Sequence, residues 1–392
     1  MEPIVEIGYF TPFVEHLGSA DTRAQWLDAF KRTWNPPSET AFILLLYRKR
    51  LIPTTFERWK SLAMASRQYS RQALLWIFVV SIWTAWASPV DFQSDSTLPF
   101  AGCGRNLPSG QNVGGVANVS IASSGYNRSY LIYIPQTYNK LIPVSTIFSY
   151  HGGARDAEDQ LQLDQLTSPE YNTQSLVVYP QGLNNTWQGV PNITTDDVQF
   201  TADILNEVQS LYCIDPLRVY ATGKSDGAGL CNLLACDPHL STKIAAFAPV
   251  SGAYYVDSLP CVPQTVTLPC SPGRSLIPFL AFHGGNDTTI PYSGEERKGE
   301  CLPSIPHFIQ QWALREGLST NNFTTPVANQ TVKYSYGIGL ESGQVALYYE
   351  SDIGHDWPST APNADNQAKG HHVASYNATP IIMDFFQRHI LL

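Results

Sequence analysis

The chain has 392 residues, 43% hydrophobic and only 15% charged, with a formal net charge of −9. That composition supports one large core and is tight for two. Residues 88–392 carry 14 Lys+Arg against 26 Asp+Glu without a basic cluster, which argues against nucleic acid as a partner, because phosphates demand Lys and Arg.

In chain order the first segment is a leader, residues 1–63, which holds Pro36-Pro37 and the basic Arg48-Lys49-Arg50 but no motif that ties it to the rest. Residues 71–87, RQALLWIFVVSIWTAWA, have a different character. Basic Arg67 and Arg71 precede an apolar run from Ala73 to Trp83, and Ala85-Trp86-Ala87 is a small-x-small cleavage site. Counted from Met64, residues 64–87 form a 24-residue signal peptide. Met64 is therefore read as the true start, residues 1–63 as an overextended gene model, and Ser88 as the mature N-terminus, with no stable membrane anchor after cleavage. The alternative, a type II anchor, is disfavoured because the apolar run is shorter than the roughly 20 residues a span needs. Secretion to the extracellular space agrees with N-x-Ser/Thr sequons at Asn118, Asn127, Asn184, Asn192, Asn286, Asn322, Asn329 and Asn377, all after residue 87. All seven cysteines also lie there, enough in an oxidising compartment for three bridges and one thiol left over. Proximity in sequence suggests Cys261–Cys270 and Cys213–Cys236.

Short apolar, β-branched runs then recur at Tyr130–Ile134, Ser145–Tyr150, Ser175–Tyr179, Arg218–Thr222, Ala245–Val250, Phe279–Phe282 and Val345–Tyr349. Helical patterns fall between them. In Asp197–Cys213, Val198, Ala202, Leu205, Val208 and Leu211 share one face; Ile305, Phe308, Ile309 and Trp312 do so after Pro303. Thr379–Ile390 closes the chain with Ile381, Ile382, Phe385 and Phe386. The alternation predicts an α/β fold with a mostly parallel central sheet, helices on both faces, and a single domain over residues 88–392.

Chemistry is concentrated where these strands end. Gly223-x-Ser225-x-Gly227 lies between a strand and a helix. A sharp turn there lifts a serine hydroxyl above the sheet edge, and its flanking positions tolerate only glycine. An ordinary glycine-rich turn shares the motif; the strand before and the helix after single this one out. Ser225 needs a base, and the base an orienting acid, in the order Ser, acid, His. His355 lies in the loop after Val345–Tyr349 and is the candidate base. Asp287, in Gly284-Gly285-Asn286-Asp287 after Phe279–Phe282, is the candidate acid; Asp352 and Asp356 flank His355, but adjacency does not make the required hydrogen bond. His239, His307 and His389 fall in helical segments. His371-His372 lacks the Cys, His or carboxylate spacing of a metal site, so no metal is expected. Tyr150-His151-Gly152-Gly153-Ala154 supplies the third element: the N–H groups of Gly153 and Asp226 are candidate oxyanion donors, with the His151 ring packed behind the loop. Trp187 and Trp357 either wall an acyl pocket or belong to the core.

The pieces YHGGARDAEDQ, VVYPQGL, NTWQG, RVYATGKSDGAG, AAFAPVSGA, FHGGNDTTIPY, GECLPSIPHFI, GHDWPS and NATPIIMDFF resemble the fungal feruloyl esterases of carbohydrate esterase family 1, which are similar to acetylxylan esterases and polyhydroxybutyrate depolymerases. The resemblance runs from about Gly102 to the C-terminus. It implies the α/β-hydrolase fold, Ser225 as nucleophile, Asp287 as acid, His355 as base, and Gly153 and Asp226 as oxyanion donors. It implies no cofactor, and hydroxycinnamoyl esters on plant cell-wall arabinoxylan or pectin as substrates. Cys231 has no partner in this pattern, and residues 1–63 have no place in it. Two other readings stay open: acetylxylan or polyester specificity on the same fold, and a catalytically silent carbohydrate-binding relative.

Overall fold

A computed structural model of the chain describes residues 100–339 and 343–391. The expected leader (1–63), signal peptide (64–87) and cleavage at Ser88 lie outside them.

The strands that lead to the site are β3 (Val144–Tyr150), β4 (Leu176–Pro180), β6 (Ala246–Val250) and β7 (Phe279–Gly284), each buried at every position. A strand covered on both faces has no solvent side, so its sequence reads as a continuous apolar run. With β5 (Ile214–Lys224) and β12 (Val345–Glu350) they form a parallel block in the order β4-β3-β5-β6-β7-β12. Antiparallel strands extend both sides of this block, β1 (Val116–Ser123) and β2 (Tyr126–Tyr133) beside β4, β10 (Phe323–Ala328) and β11 (Thr331–Tyr336) beside β12. A separate hairpin pairs β8 (Glu295–Arg297) with β9 (Glu300–Leu302).

Helices cover both faces. On one, α2 (Asp197–Leu211), α3 (Asp226–Cys236) and α4 (Ile305–Arg315) bury Phe200, Leu230 and Trp312 against Phe148, Phe247 and Phe279. Trp312 stacks on Phe279 with ring centroids 4.4 Å apart. On the other, α1 (Ala157–Asp164) and α5 (Ala378–Arg388) bury Leu161, Ile382 and Phe386 against Val177, Tyr220 and Leu280. This is the mostly parallel, helix-covered sheet expected from the strand–helix alternation, in the α/β-hydrolase architecture that the resemblance implies. Among the described residues no helix is long and apolar enough to cross a membrane.

Several elements escape the periodicity argument. The α1 segment is polar and eight residues long, and its only signal is a capping box in which Asp156 accepts from the Asp159 amide at 2.9 Å. Five of the six residues of β10 are exposed, so no buried face imposes alternation on it. The bridges also differ from the pairs suggested by proximity. Cys103 joins Cys213, Cys236 joins Cys270, and Cys261 joins Cys301, across sequence separations of 110, 34 and 40 residues. Cys213 leaves α2 next to the N-terminal loop, while Cys236 ends α3 beside the segment before β7; spatial closure, not chain distance, sets the partners. Cys231 is the free, buried thiol.

Candidate active site

Ser225 joins β5 to α3 with φ 55° and ψ −119°, a left-handed conformation that a non-glycine residue adopts only under strong local constraint. The constraint is visible. The Ser225 amide donates to the Val250 carbonyl at 3.0 Å, and the Ser225 carbonyl accepts from Gly229 and Ala253 at 3.0 and 3.1 Å. A Cβ on Gly227 would collide with the carbonyl oxygens of Tyr150 and His151, and one on Gly223 would stand 2.8 Å from the Tyr150 oxygen. Glycine at both flanks is thus a condition for packing the elbow against the end of β3.

The turn after β3 lies against this elbow, and a Cβ on Gly152 would be 3.4 Å from Ser225 Cβ. The His151 ring sits behind it, fully buried. Its Nε2 accepts from the Gly182 amide at 3.0 Å, so its proton is on Nδ1, which donates to the Gly152 carbonyl at 2.8 Å. Burial holds its pKa below the ordinary histidine value, and the neutral ring is a structural pin. Gly153 packs against the Asp226 side chain. Neither the Gly153 nor the Asp226 amide donates to another group among the described residues, and Asp226 opens α3, where helical amides have no internal acceptor. Burial raises the Asp226 carboxyl above its usual pKa, despite the lowering charges of Lys298, His355 and Arg297.

Asp287 follows β7 and is buried. Its Oδ1 accepts from the amides of Thr289 and Ile290 at 2.9 and 2.8 Å. Its Oδ2 lies 2.8 Å from His355 Nδ1 and 3.4 Å from His283 Nε2. Burial pushes the Asp287 carboxyl up, but the His355 hydrogen bond and the charges of His355 and His283 outweigh it, so the group sits below the ordinary carboxylate value. His283 donates to the Ile290 carbonyl at 2.8 Å and is closed off from solvent. Asp356 is engaged elsewhere: Oδ1 binds His371 Nδ1 at 2.6 Å and Oδ2 accepts from the Gly354 amide at 2.9 Å. His371 therefore braces the loop that carries His355. Among the described residues no cluster of His, Cys, Asp or Glu is placed to hold a metal ion.

Ser225 and His355 line one cavity of about 550 Å³ without a hydrogen bond between them. With His355 Nδ1 engaged by Asp287, Nε2 is the ring nitrogen left for proton transfer. Gly153 and Asp226 line the same cavity, together with Tyr255, Ile290 and Leu163. Trp187 and Trp357 do not. Trp187 is fully buried, meets Tyr150 edge-on at 5.5 Å, and donates to the His151 carbonyl at 2.7 Å. Trp357 donates to Thr379 Oγ1 at 3.0 Å beneath α5. Both indoles find their hydrogen-bond acceptor and their apolar contacts inside the core, which removes them from the acyl wall. Residues that sequence reasoning passed over take their place: Tyr255, and Arg297 and Lys298 at the β8–β9 turn, with Lys298 5.5 Å from the Tyr255 ring centroid. The Arg297-Lys298-Gly299-Glu300 tetrapeptide carried a hairpin signal, since its two central residues adopt positive φ.

No family model matches the chain. Over 208 residues, half of this chain, it is 30% identical to feruloyl esterase D of Neurospora crassa. Over 199 residues it is 29% identical to a probable feruloyl esterase C of Aspergillus niger. The match spans 64% of each of these two relatives, and it is shorter than the stretch from Gly102 to the C-terminus over which the motifs resemble that family. An acetyl xylan esterase from Aspergillus awamori superposes with a TM-score of 0.51 at 16% identity, covering 70% of this chain and 99% of that one, a likeness of fold. The resemblance to fungal feruloyl esterases thus rests on sequence, and the likeness to the acetyl xylan esterase is one of fold.

Proposed function

We propose that the chain is a secreted serine carboxylic ester hydrolase that releases ferulic and related hydroxycinnamic acids from plant cell-wall polysaccharide. One observation carries the esterase reading: Asp287 holds His355 by Nδ1 at the rim of the cavity into which the strained Ser225 elbow opens. In the mechanism this supports, Ser225 Oγ attacks the ester carbonyl carbon while its proton passes to His355 Nε2. The oxyanion meets the amides of Gly153 and Asp226. His355 returns the proton to the sugar alcohol oxygen as the acyl C–O bond breaks, leaving an acyl-serine. Water repeats the sequence and frees the acid. Asp287 keeps the imidazole in the tautomer that leaves Nε2 unprotonated.

The acyl specificity is supported by the sequence relatives and by the cavity's size. A flat hydroxycinnamoyl ring would be held by Tyr255 with Ile290 and Leu163. Such an aromatic contact is worth about 0.5–1.5 kcal/mol, or roughly 2- to 13-fold in kcat/KM. Tyr255→Ala is therefore expected to lower kcat/KM on methyl ferulate by that factor and on p-nitrophenyl acetate by less. Equal losses would remove Tyr255 from the acyl wall. A wild-type protein that deacetylates xylan and leaves methyl ferulate intact would replace the feruloyl reading with an acetylxylan one.

The secreted reading rests on residues 64–87 and on the sequons. Mass spectrometry of the protein recovered from fungal culture medium is expected to find Ser88 at the N-terminus. A peptide from residues 1–63 on that protein would overturn both the Met64 start and the gene-model reading of the leader.

A further inference from the structure

Lys224 immediately precedes Ser225. Its side chain is only 11% exposed, and its Nζ lies 2.8 Å from Asp365 Oδ2. The same Asp365 oxygen accepts the backbone amide of Trp357 at 2.9 Å, two residues beyond His355. Asp365 belongs to a tight polar turn. Its amide donates to Asn363 Oδ1 at 3.0 Å, Asn363 Nδ2 donates to the Trp357 carbonyl at 2.9 Å, and Asn366 Oδ1 accepts from the Asn363 amide at 2.9 Å. The Trp357 peptide is thus gripped at both its N–H and its C=O. One short chain of charge-assisted bonds runs from the nucleophile elbow, through Lys224 and Asp365, to the base loop.

We propose that the Lys224–Asp365 pair is a positioning clamp that sets the separation of Ser225 and His355 across the cavity; this rests on the serine-esterase reading given above. The two groups come from elements far apart in the chain, the end of β5 and the loop between β12 and α5. No backbone hydrogen bond between those two segments occurs among the described residues. Backbone ladders hold Ser225 to β6, Asp287 holds His355 laterally, and Ser251 Oγ, just after β6, donates to the Asp356 carbonyl of the base loop at 3.0 Å; the Lys224–Asp365 pair links that loop directly to the elbow. A misplacement of about 1 Å between reacting groups costs on the order of 100-fold in rate, so a bridge that starts at the residue before the nucleophile has large leverage. A partly buried ion pair is a poor source of net stability but a good source of geometry, because removing one partner strands the other. Lys224 and Asp365 also line the cavity; the role assigned to them is to act through the residues they hold, and the split between kcat and KM separates that role from contact with the ester.

Steady-state kinetics on p-nitrophenyl acetate test the clamp. The wild-type protein must first turn over this ester; if it does not, the esterase reading fails before the clamp is reached. Given that activity, Lys224→Met and Asp365→Asn are each expected to lower kcat at least tenfold with KM within about twofold. The double variant is expected to lose no more than the worse single one, since the two side chains act as one unit. Asp365→Glu covers the case in which those variants do not fold. It keeps the charge and the pairing but lengthens the arm by one methylene, so kcat is expected to fall several-fold at an unchanged Tm. Losses that multiply in the double variant, a change in KM in place of kcat, or an unchanged kcat in Asp365→Glu would each overturn the clamp.

Discussion

Ser225→Ala is expected to reduce turnover of p-nitrophenyl acetate by roughly 10⁴- to 10⁶-fold, the range seen when an acyl-transfer nucleophile is removed. The fold is expected to survive. The elbow is held by backbone bonds of residue 225 and by the close packing of Gly223 and Gly227. The hydroxyl makes no hydrogen bond to the core among the described residues, so alanine leaves no buried donor without a partner. Tm within about 2 °C of wild type, with no burst of p-nitrophenol, is the result to expect. Turnover within tenfold of wild type in a folded Ser225→Ala protein would remove the esterase mechanism altogether.

The second large effect separates two carboxylates sixty-nine residues apart in the chain, one bonded to the His355 ring and the other its neighbour in sequence. Asp287→Asn is expected to lower kcat by about 10³- to 10⁴-fold, because an amide at this position stabilises the wrong imidazole tautomer. Asp356→Asn is expected to leave kcat within about tenfold. Its cost falls on stability, about 1–3 kcal/mol, since Asp356 is buried and braces the base loop through His371 and Gly354. Thermal melts across pH give an independent reading. Asp287 has a folded pKa below its unfolded one, so its contribution to stability is present above the ordinary carboxylate value of 3.8 and is lost as pH falls through the lower, folded value. Asp287→Asn should therefore flatten the acid limb of the Tm profile. A greater kcat loss in Asp356→Asn than in Asp287→Asn would reverse the assignment of the acid.

Much of this site is visible before any coordinates. A serine flanked by Gly223 and Gly227 between a β-branched strand and a helix is a local pattern, and the strain it encodes arises within a few residues. The acid and the base are expected after later strands of a parallel sheet, because every such strand points the same way and its following loop emerges at the same edge. That rule leads to Asp287 and His355 without knowledge of their separation. The rule fails for side chains whose place depends on distant partners. Trp187 and Trp357 sit beside motif residues in sequence, yet each indole turns to an acceptor in the core, the His151 carbonyl and Thr379 Oγ1. Tyr255 carries no pattern at all and reaches the cavity because the loop after β6 folds over it.

The amino-acid sequence by itself determined what depends on short-range periodicity and turn chemistry: buried parallel strands alternating with helices, the glycine-flanked elbow, and the helix faces of α4 and α5; in α2 the buried face is centred on Phe200, Ile204 and Val208, and the expected Val198, Ala202 and Leu211 lie at its edge. Such features follow from hydrophobic spacing and from φ/ψ limits that act over a few residues. Tertiary structure alone decided which cysteines meet, which tryptophans are core, that His371 braces Asp356, and that Lys224 reaches Asp365 across 141 positions of chain. Each of these is a contact between elements brought together by packing of the whole sheet and its two helical layers. A bond of about 3 Å between such partners has no local energetic signature, because its free energy is realised only once both elements are already in place.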